Sequence, residues 1–222
     1  MLVRALEGGL AANSTCNWRQ NLMKKLFSAL LLCLTPFVVQ AVSLKVVNVS
    51  APAINCVFNS TCTVTVNDTS DNIAMSTGGT GFLQSRTYIG APGSPAAGLY
   101  AYEYRIDLRN AVGAVAISCI DSMTISFGSV VGTLNYGGTP KPDQVFVVTG
   151  GGIGTIGLAS AIQTGSNIKF NFASPICEGG APGKGDSSFF WGLVSKTPPK
   201  FVTATVHEAG GATHSLKARA PK

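Results

Sequence analysis

Residues 144–160 read QVFVVTGGGIGTIGLAS, and Gly152-Ile153-Gly154-Thr155-Ile156-Gly157 within them matches the G-x-G-x-x-G dinucleotide fingerprint letter for letter. The apolar run Val145–Val148 precedes it, as a strand should. In a dinucleotide-binding domain those glycines admit a tight turn and let the pyrophosphate approach a helix N-terminus inside a β-α-β unit. Here Thr164-Gly165-Ser166-Asn167 ends any helix begun at Leu158 after six residues, whereas a crossover to a parallel strand needs at least ~10–12. Glu178 stands near the spacing of the ribose-binding acid, but it directly follows Cys177 in a glycine-rich stretch. The run therefore reads as a loop between strands, and no cofactor is expected.

Other chemistry is sparse. In EGGAPGKGDSS, residues 178–188, two of the four fixed positions of a phosphate loop are Glu178 and Gly185, so the motif fails. His207 and His214 are the only histidines, no G-x-S-x-G elbow is present, and no catalytic set converges. Asp68-Thr69-Ser70-Asp71-Asn72 offers oxygen ligands without EF-hand spacing and reads as a polar turn. Phe189, Phe190 and Trp191 are the candidate ligand-stacking residues, since aromatic faces bind sugar rings, although alternation sends part of that segment into a core. The carboxylates from which a glycan hydrolase would draw a pair are Glu103, Asp107, Asp121, Asp143 and Asp186.

Compartment follows from the N-terminal region. MKKLFSALLLCLTPFVVQA, residues 23–41, has the order of a secretory signal: Lys24 and Lys25, the apolar stretch Leu26–Val39, then Val39-Gln40-Ala41 as cleavage site. Residues 1–22 then read as an upstream extension ahead of the true start at Met23. After cleavage four cysteines remain. Spacing favours Cys56 with Cys62 as a local clip and Cys119 with Cys177 as a long-range staple, as suits an oxidising compartment. No C-x-x-C pair occurs and neither histidine lies near a cysteine, so no metal site is expected. No integral membrane span is expected after cleavage, and the chain reads as secreted or periplasmic.

Charge is weighted to the ends. Residues 42–216 carry nine basic and nine acidic side chains, so nucleic acid is not an expected partner. The same region alternates short β-branched or aromatic runs with Gly, Pro, Asn and Ser clusters, which predicts about ten strands. In YAYEYRIDLR, Tyr100, Tyr102, Tyr104, Ile106 and Leu108 share one face, while Ala101, Glu103, Arg105, Asp107 and Arg109 share another, expected to be wet. NIKFNF places Ile168, Phe170 and Phe172 inward. The one helical candidate in the mature region is Leu158–Gln163. The expectation is an all-β, antiparallel β-sandwich, jelly-roll or Ig-like, over residues 42–210, preceded by a signal helix and followed by a basic flexible tail at 211–222.

The segments LQSRTYIGAPGSPAAGLYAYEYRIDLRNAVG, VFVVTGGGIGTIGLASA and SSFFWGLVS resemble those of exported bacterial proteins, some similar to ectodomains of the PEP-CTERM class of surface-sorted proteins. The resemblance covers roughly residues 56–206 and brings no catalytic motif. The chain ends HSLKARAPK, without the sorting tail of that class. It implies a bacterial secreted β protein. Because no convergent acid, base, nucleophile or metal set is visible in the sequence, the expected function is a non-catalytic binding or structural module of the envelope or matrix, with a glycan or an envelope or matrix protein as partner. The alternative is a secreted glycan-active hydrolase. Initiation at Met23 is checked by the intact mass of the precursor in an export-blocked strain, where a product beginning at Met1 would refute it.

Overall fold

The computed structural model describes residues 40–128, 131–138 and 142–221. The expected extension 1–22 and all but the last two residues of the expected signal segment 23–41 lie outside the described residues. The remainder is a β-sandwich of two six-stranded sheets. The strands are β1 (Ala41–Leu44), β2 (Val46–Ser50), β3 (Asn67–Ala74), β4 (Thr80–Ile89), β5 (Tyr100–Asp107) and β6 (Cys119–Ser126). They continue with β7 (Val145–Gly150), β8 (Leu158–Thr164), β9 (Asn167–Cys177), β10 (Trp191–Ser195), β11 (Pro199–Glu208) and β12 (Thr213–Pro221). The first sheet runs β1-β8-β9-β6-β11-β12 and the second β2-β7-β10-β5-β4-β3. Pairing is antiparallel except between β2 and β7, which run parallel from Val46↔Val145.

Alternation explains the core. Ile168 and Phe170 on β9, Met123 and Ile125 on β6, and Tyr102, Tyr104 and Ile106 on β5 all point between the sheets and are buried. The second sheet is buried on its outer face too. There a helix, α1 (Ala51–Phe58), lays Ile54 and Phe58 over Tyr88, Phe146 and Val148. At eight residues α1 is too short to be stable on intrinsic propensity, so its packed face and the Cys56–Cys62 disulfide must hold it. The second disulfide joins Cys119 to Cys177, direct partners across β6 and β9. Both pairings match the sequence expectation, and closing 58 residues contributes about 3–4 kcal/mol in the chain-entropy model.

Four expectations are corrected. The flexible tail expected at 211–222 is not found over its described residues, 211–221, because Thr213–Pro221 forms β12 along β11, with Leu216, Ala218 and Ala220 inward. These small apolar residues between basic ones make a weak hydrophobic pattern, and pairing supplies what the pattern lacks. Leu158–Gln163 is strand rather than helix, held between β1 and β9. Asp68–Asn72 lies within β3 instead of a turn, and its polarity suits an edge strand that pairs only with β4. The charged face of β5 is buried, with Glu103, Arg105 and Asp107 at 6, 4 and 5% exposure.

The free side of β12 is closed by side chains of the opposite sheet. Lys217 N–H donates to Asp71 Oδ2 at 2.8 Å and Arg219 N–H to Ser85 Oγ at 2.9 Å. These bonds occupy backbone donors that would otherwise template another strand.

The glycine run Gly150–Gly157 carries the chain from β7 in one sheet to β8 in the other, and no helix follows it. Gly154 has φ +103°, and a Cβ there would stand 2.0 Å from the Ser188 carbonyl oxygen. It is a contact glycine of a β-sandwich. Gly154→Ala should therefore cost about 2–4 kcal/mol, from left-handed strain plus a backbone clash. Gly210→Ala, with nothing within 4 Å, should stay within about 0.5 kcal/mol. Urea unfolding of the two variants checks the difference.

Candidate functional site

Strand pairing brings Arg86 on β4 opposite Glu103 on β5, both on the outer face of the second sheet. Above them α1 contributes Ala51, Ile54 and Asn55, the following loop Val64 and Val66, and the glycine run Gly151, Gly152 and Ile153. Val148 and Phe190 complete a cavity of about 320 Å³. The glycines that resemble a dinucleotide fingerprint thus form one wall of a pocket, with side-chain-free backbone at its rim. The lining is mainly apolar, and its charged or amide side chains are Arg86, Glu103 and Asn55.

Arg86 and Glu103 are both held by polar partners. Tyr88 Oη donates to Glu103 Oε1 at 2.7 Å. Burial pushes the Glu103 carboxyl above the ordinary carboxylate range, partly offset by the Tyr88 hydrogen bond and by Arg86. Arg86 Nε donates to Asp68 Oδ2 at 3.0 Å, and its guanidinium lies 3.9 Å from the Phe190 ring centroid. Its terminal nitrogens make no hydrogen bond to a described residue. Arg86 therefore brings to the cavity guanidinium donors that no described residue engages.

The three aromatic candidates separate. Trp191, at 1% exposure, points between the sheets against Tyr104, Phe170 and Phe172. Phe189 packs against the inter-sheet core. Only Phe190 reaches the cavity, and Arg86 lies over its ring. Successive residues of an extended chain face opposite ways, so no shared stacking platform forms.

The candidate carboxylates do not converge either. Glu103 and Asp107 share a strand, but Asp107 is held by Arg105 at 2.9 Å and by Arg109 at 2.6 Å. Burial opposes ionisation of Asp107, yet the Arg109 and Arg105 interactions hold it below its usual range. Asp143 is fully buried against Lys45 at 2.7 Å, Asp186 Oδ2 accepts the Cys177 N–H, and Asp121 accepts from Ser122 Oγ. His207 Nε2 lies 3.2 Å from Thr124 Oγ1. Lys184 and the glycines around it form exposed turns, with no helix behind them. Among the described residues no group of three or more His, Cys, Asp or Glu side chains could hold a metal ion, and no helix is long and apolar enough to cross a membrane.

Arg86 and Tyr88 were not singled out by motif or spacing. The signal that finds them is the β4–β5 register, which sets charged Arg86 directly opposite charged Glu103. A second polar cluster was also hidden. Glu208 accepts from Ser76 N–H at 2.9 Å, from the Ser76 and Ser118 hydroxyls, and pairs with His214 Nε2 at 2.6 Å. Glu178 accepts from the Thr77 hydroxyl and the Ser118 N–H. In this cluster serine and histidine both bind the carboxylate rather than each other, so no nucleophile is activated. Burial opposes ionisation of Glu208, but the Ser118, Ser76 and His214 hydrogen bonds prevail and bring its pKa down to about 2. The ordinary value is 4.5, so this stabilisation is complete above about pH 4.5 and fades as pH falls toward 2. Glu208→Gln should lose on the order of 3 kcal/mol at neutral pH, with the gap to wild type closing across that window in urea titrations.

Comparison with protein-family models, with curated protein sequences and with solved structures finds no match to this chain.

Proposed function

We propose that the chain is an exported, non-catalytic binding module of the bacterial cell envelope or extracellular matrix. Its outer-face cavity would take a small amphipathic carboxylate. The observation that carries this reading is the cavity itself: its lining combines one guanidinium whose terminal nitrogens no described residue engages with Ile54, Val64, Val66, Val148 and Ile153. A concave, mainly apolar pocket with a few polar groups and a perturbed carboxyl is the usual form of a small-molecule site. Export is supported by the two disulfides and by the order of charge, apolar stretch and small residues at 23–41. Walls this apolar suit an alkyl body better than a sugar, each of whose hydroxyls needs a partner when buried.

The hydrolase alternative finds no support in the carboxylate positions. Asp107, Asp143 and Asp186 are each committed to cations or backbone, and Glu103 faces Arg86 rather than a second acid.

Titration of the disulfide-bonded chain with octanoate, followed by amide NMR, should perturb Gly151, Gly152 and Ile153. Arg86→Met should weaken octanoate at least tenfold, about 1.4 kcal/mol, and methyl octanoate should bind more weakly than the acid. Absence of octanoate binding at millimolar concentration, or binding indifferent to Arg86→Met in a variant with unchanged circular dichroism, would overturn the proposal.

A further inference from the structure

We infer that the outer face of the first sheet, around Phe201, Lys217 and Lys169, binds a linear acidic polysaccharide. This surface lies on the opposite sheet from the cavity and does not depend on what the cavity takes.

The first ground is where folding puts the charges. Of the nine carboxylates in residues 42–222, Glu103, Asp107, Asp143, Glu178 and Glu208 are buried. Arg105 is the one buried cation among the described residues. Residues 42–222 carry twelve basic side chains against those nine acids, and Lys169, Lys184, Lys196, Lys200 and Lys217 are all exposed.

The second ground is how this face is built. Cross-strand partners align Lys169 with Thr124, Thr124 with Thr205, and Thr205 with Ser215. The neighbouring rows pair Thr203 with Lys217 and Phe201 with Arg219. The result is a flat, hydroxyl-bearing array. Strand spacing and rise put the Lys169 and Lys217 backbones about 16 Å apart. Neither lysine forms an ion pair with a described residue. Two acids lie nearby: Asp121, at the β6 bulge, accepts from Ser122 Oγ at 2.7 Å, and Asp71, at the β12 rim, accepts the Lys217 N–H at 2.8 Å.

The third ground is Phe201. It is 58% exposed on this face, with the Arg219 guanidinium 5.0 Å from its ring centroid. Phe190 is buried, whereas Phe201 is exposed and carries Arg219 over one face of its ring. An exposed aromatic ring flanked by cations and hydroxyls suits a sugar chain: the apolar ring face of a sugar stacks, its carboxylate meets Lys or Arg, and its hydroxyls meet Thr and Ser. Duplex DNA carries one charge per ~1.7 Å of axis and draws on dense basic stripes. Three widely spaced cations match the sparser charge of a polyuronate better.

The test uses the disulfide-bonded chain with polygalacturonate, the same backbone fully methyl-esterified, and duplex DNA, all at one ionic strength. Affinity electrophoresis and calorimetry should show polygalacturonate bound, with esterified polymer and DNA each at least tenfold weaker. Phe201→Ala should weaken polygalacturonate at least tenfold. The Lys169→Ala/Lys217→Ala double variant should do the same and flatten the salt dependence. These side chains are exposed, so unchanged thermal unfolding separates loss of binding from loss of fold. No polygalacturonate binding, equal binding of the esterified polymer, tighter binding of DNA, or indifference to Phe201→Ala would each overturn the inference. Loss on Arg86→Met alone would move the polymer to the cavity and likewise overturn it.

Discussion

Arg105 and Asp107 lie 2.9 Å apart with both side chains almost wholly withdrawn from water, and much of the second sheet is arranged to make that tolerable. A buried ion pair gives little net stability against an apolar equivalent, but stripping one partner costs about 3–5 kcal/mol. Every remaining donor and acceptor near it must therefore be met. Arg105 Nε donates to Gln84 Oε1 at 3.0 Å, Arg109 forks onto Asp107, and the Phe190 and Phe82 rings lie near the Arg105 guanidinium. Leu108 N–H donates to Asp186 O, Ser188 N–H to Ile106 O, and Ser188 Oγ accepts the Ile106 N–H, tying residues 186–188 alongside β5. The segment that delivers Phe190 to the cavity is thus positioned by the needs of a charge pair two strand residues beyond Glu103.

The same logic operates at the Cys119–Cys177 end of the sandwich, with carboxylates alone as the buried charge. Glu178 follows Cys177 and Ser118 precedes Cys119, so the disulfide clamps the two segments that satisfy one another. Ser118 donates its N–H to Glu178 and its hydroxyl to Glu208. Gly79 lies so close to Glu178 that a Cβ there would stand 1.9 Å from its Oε1. Serine, threonine and backbone donors meet Glu178 Oε2 and, together with His214, Glu208.

Burying carboxylates at both places has a consequence for the outside. Anionic groups are consumed in the interior while lysines remain on the rim and on the first sheet, so surface potential departs from the balance of the composition. Charge counts describe a chain; binding surfaces depend on which charges folding leaves in water.

Much of the architecture was legible locally. Period-2 alternation identified β5 and β9, cysteine spacing identified both bridges, and the short distance from Leu158 to Gly165 excluded a crossover helix after the glycine run. Such features depend on neighbours in sequence, where side-chain direction and loop length are direct physical constraints. Tertiary contacts decided the rest. YAYEYRIDLR announces two faces, but only α1, Phe190 and the strands beside β5 determine that the charged one is buried. The polar run Asp68–Asn72 becomes strand because an edge position tolerates it, and the basic C-terminal segment becomes strand because β11 and the side chains of Asp71 and Ser85 bind its backbone. Arg86 meets Glu103, and Ser118 meets Glu178 and Glu208, across separations of 17, 60 and 90 residues. The energy of such encounters depends on desolvation and partner geometry at a distance, neither of which is a property of any local stretch of chain.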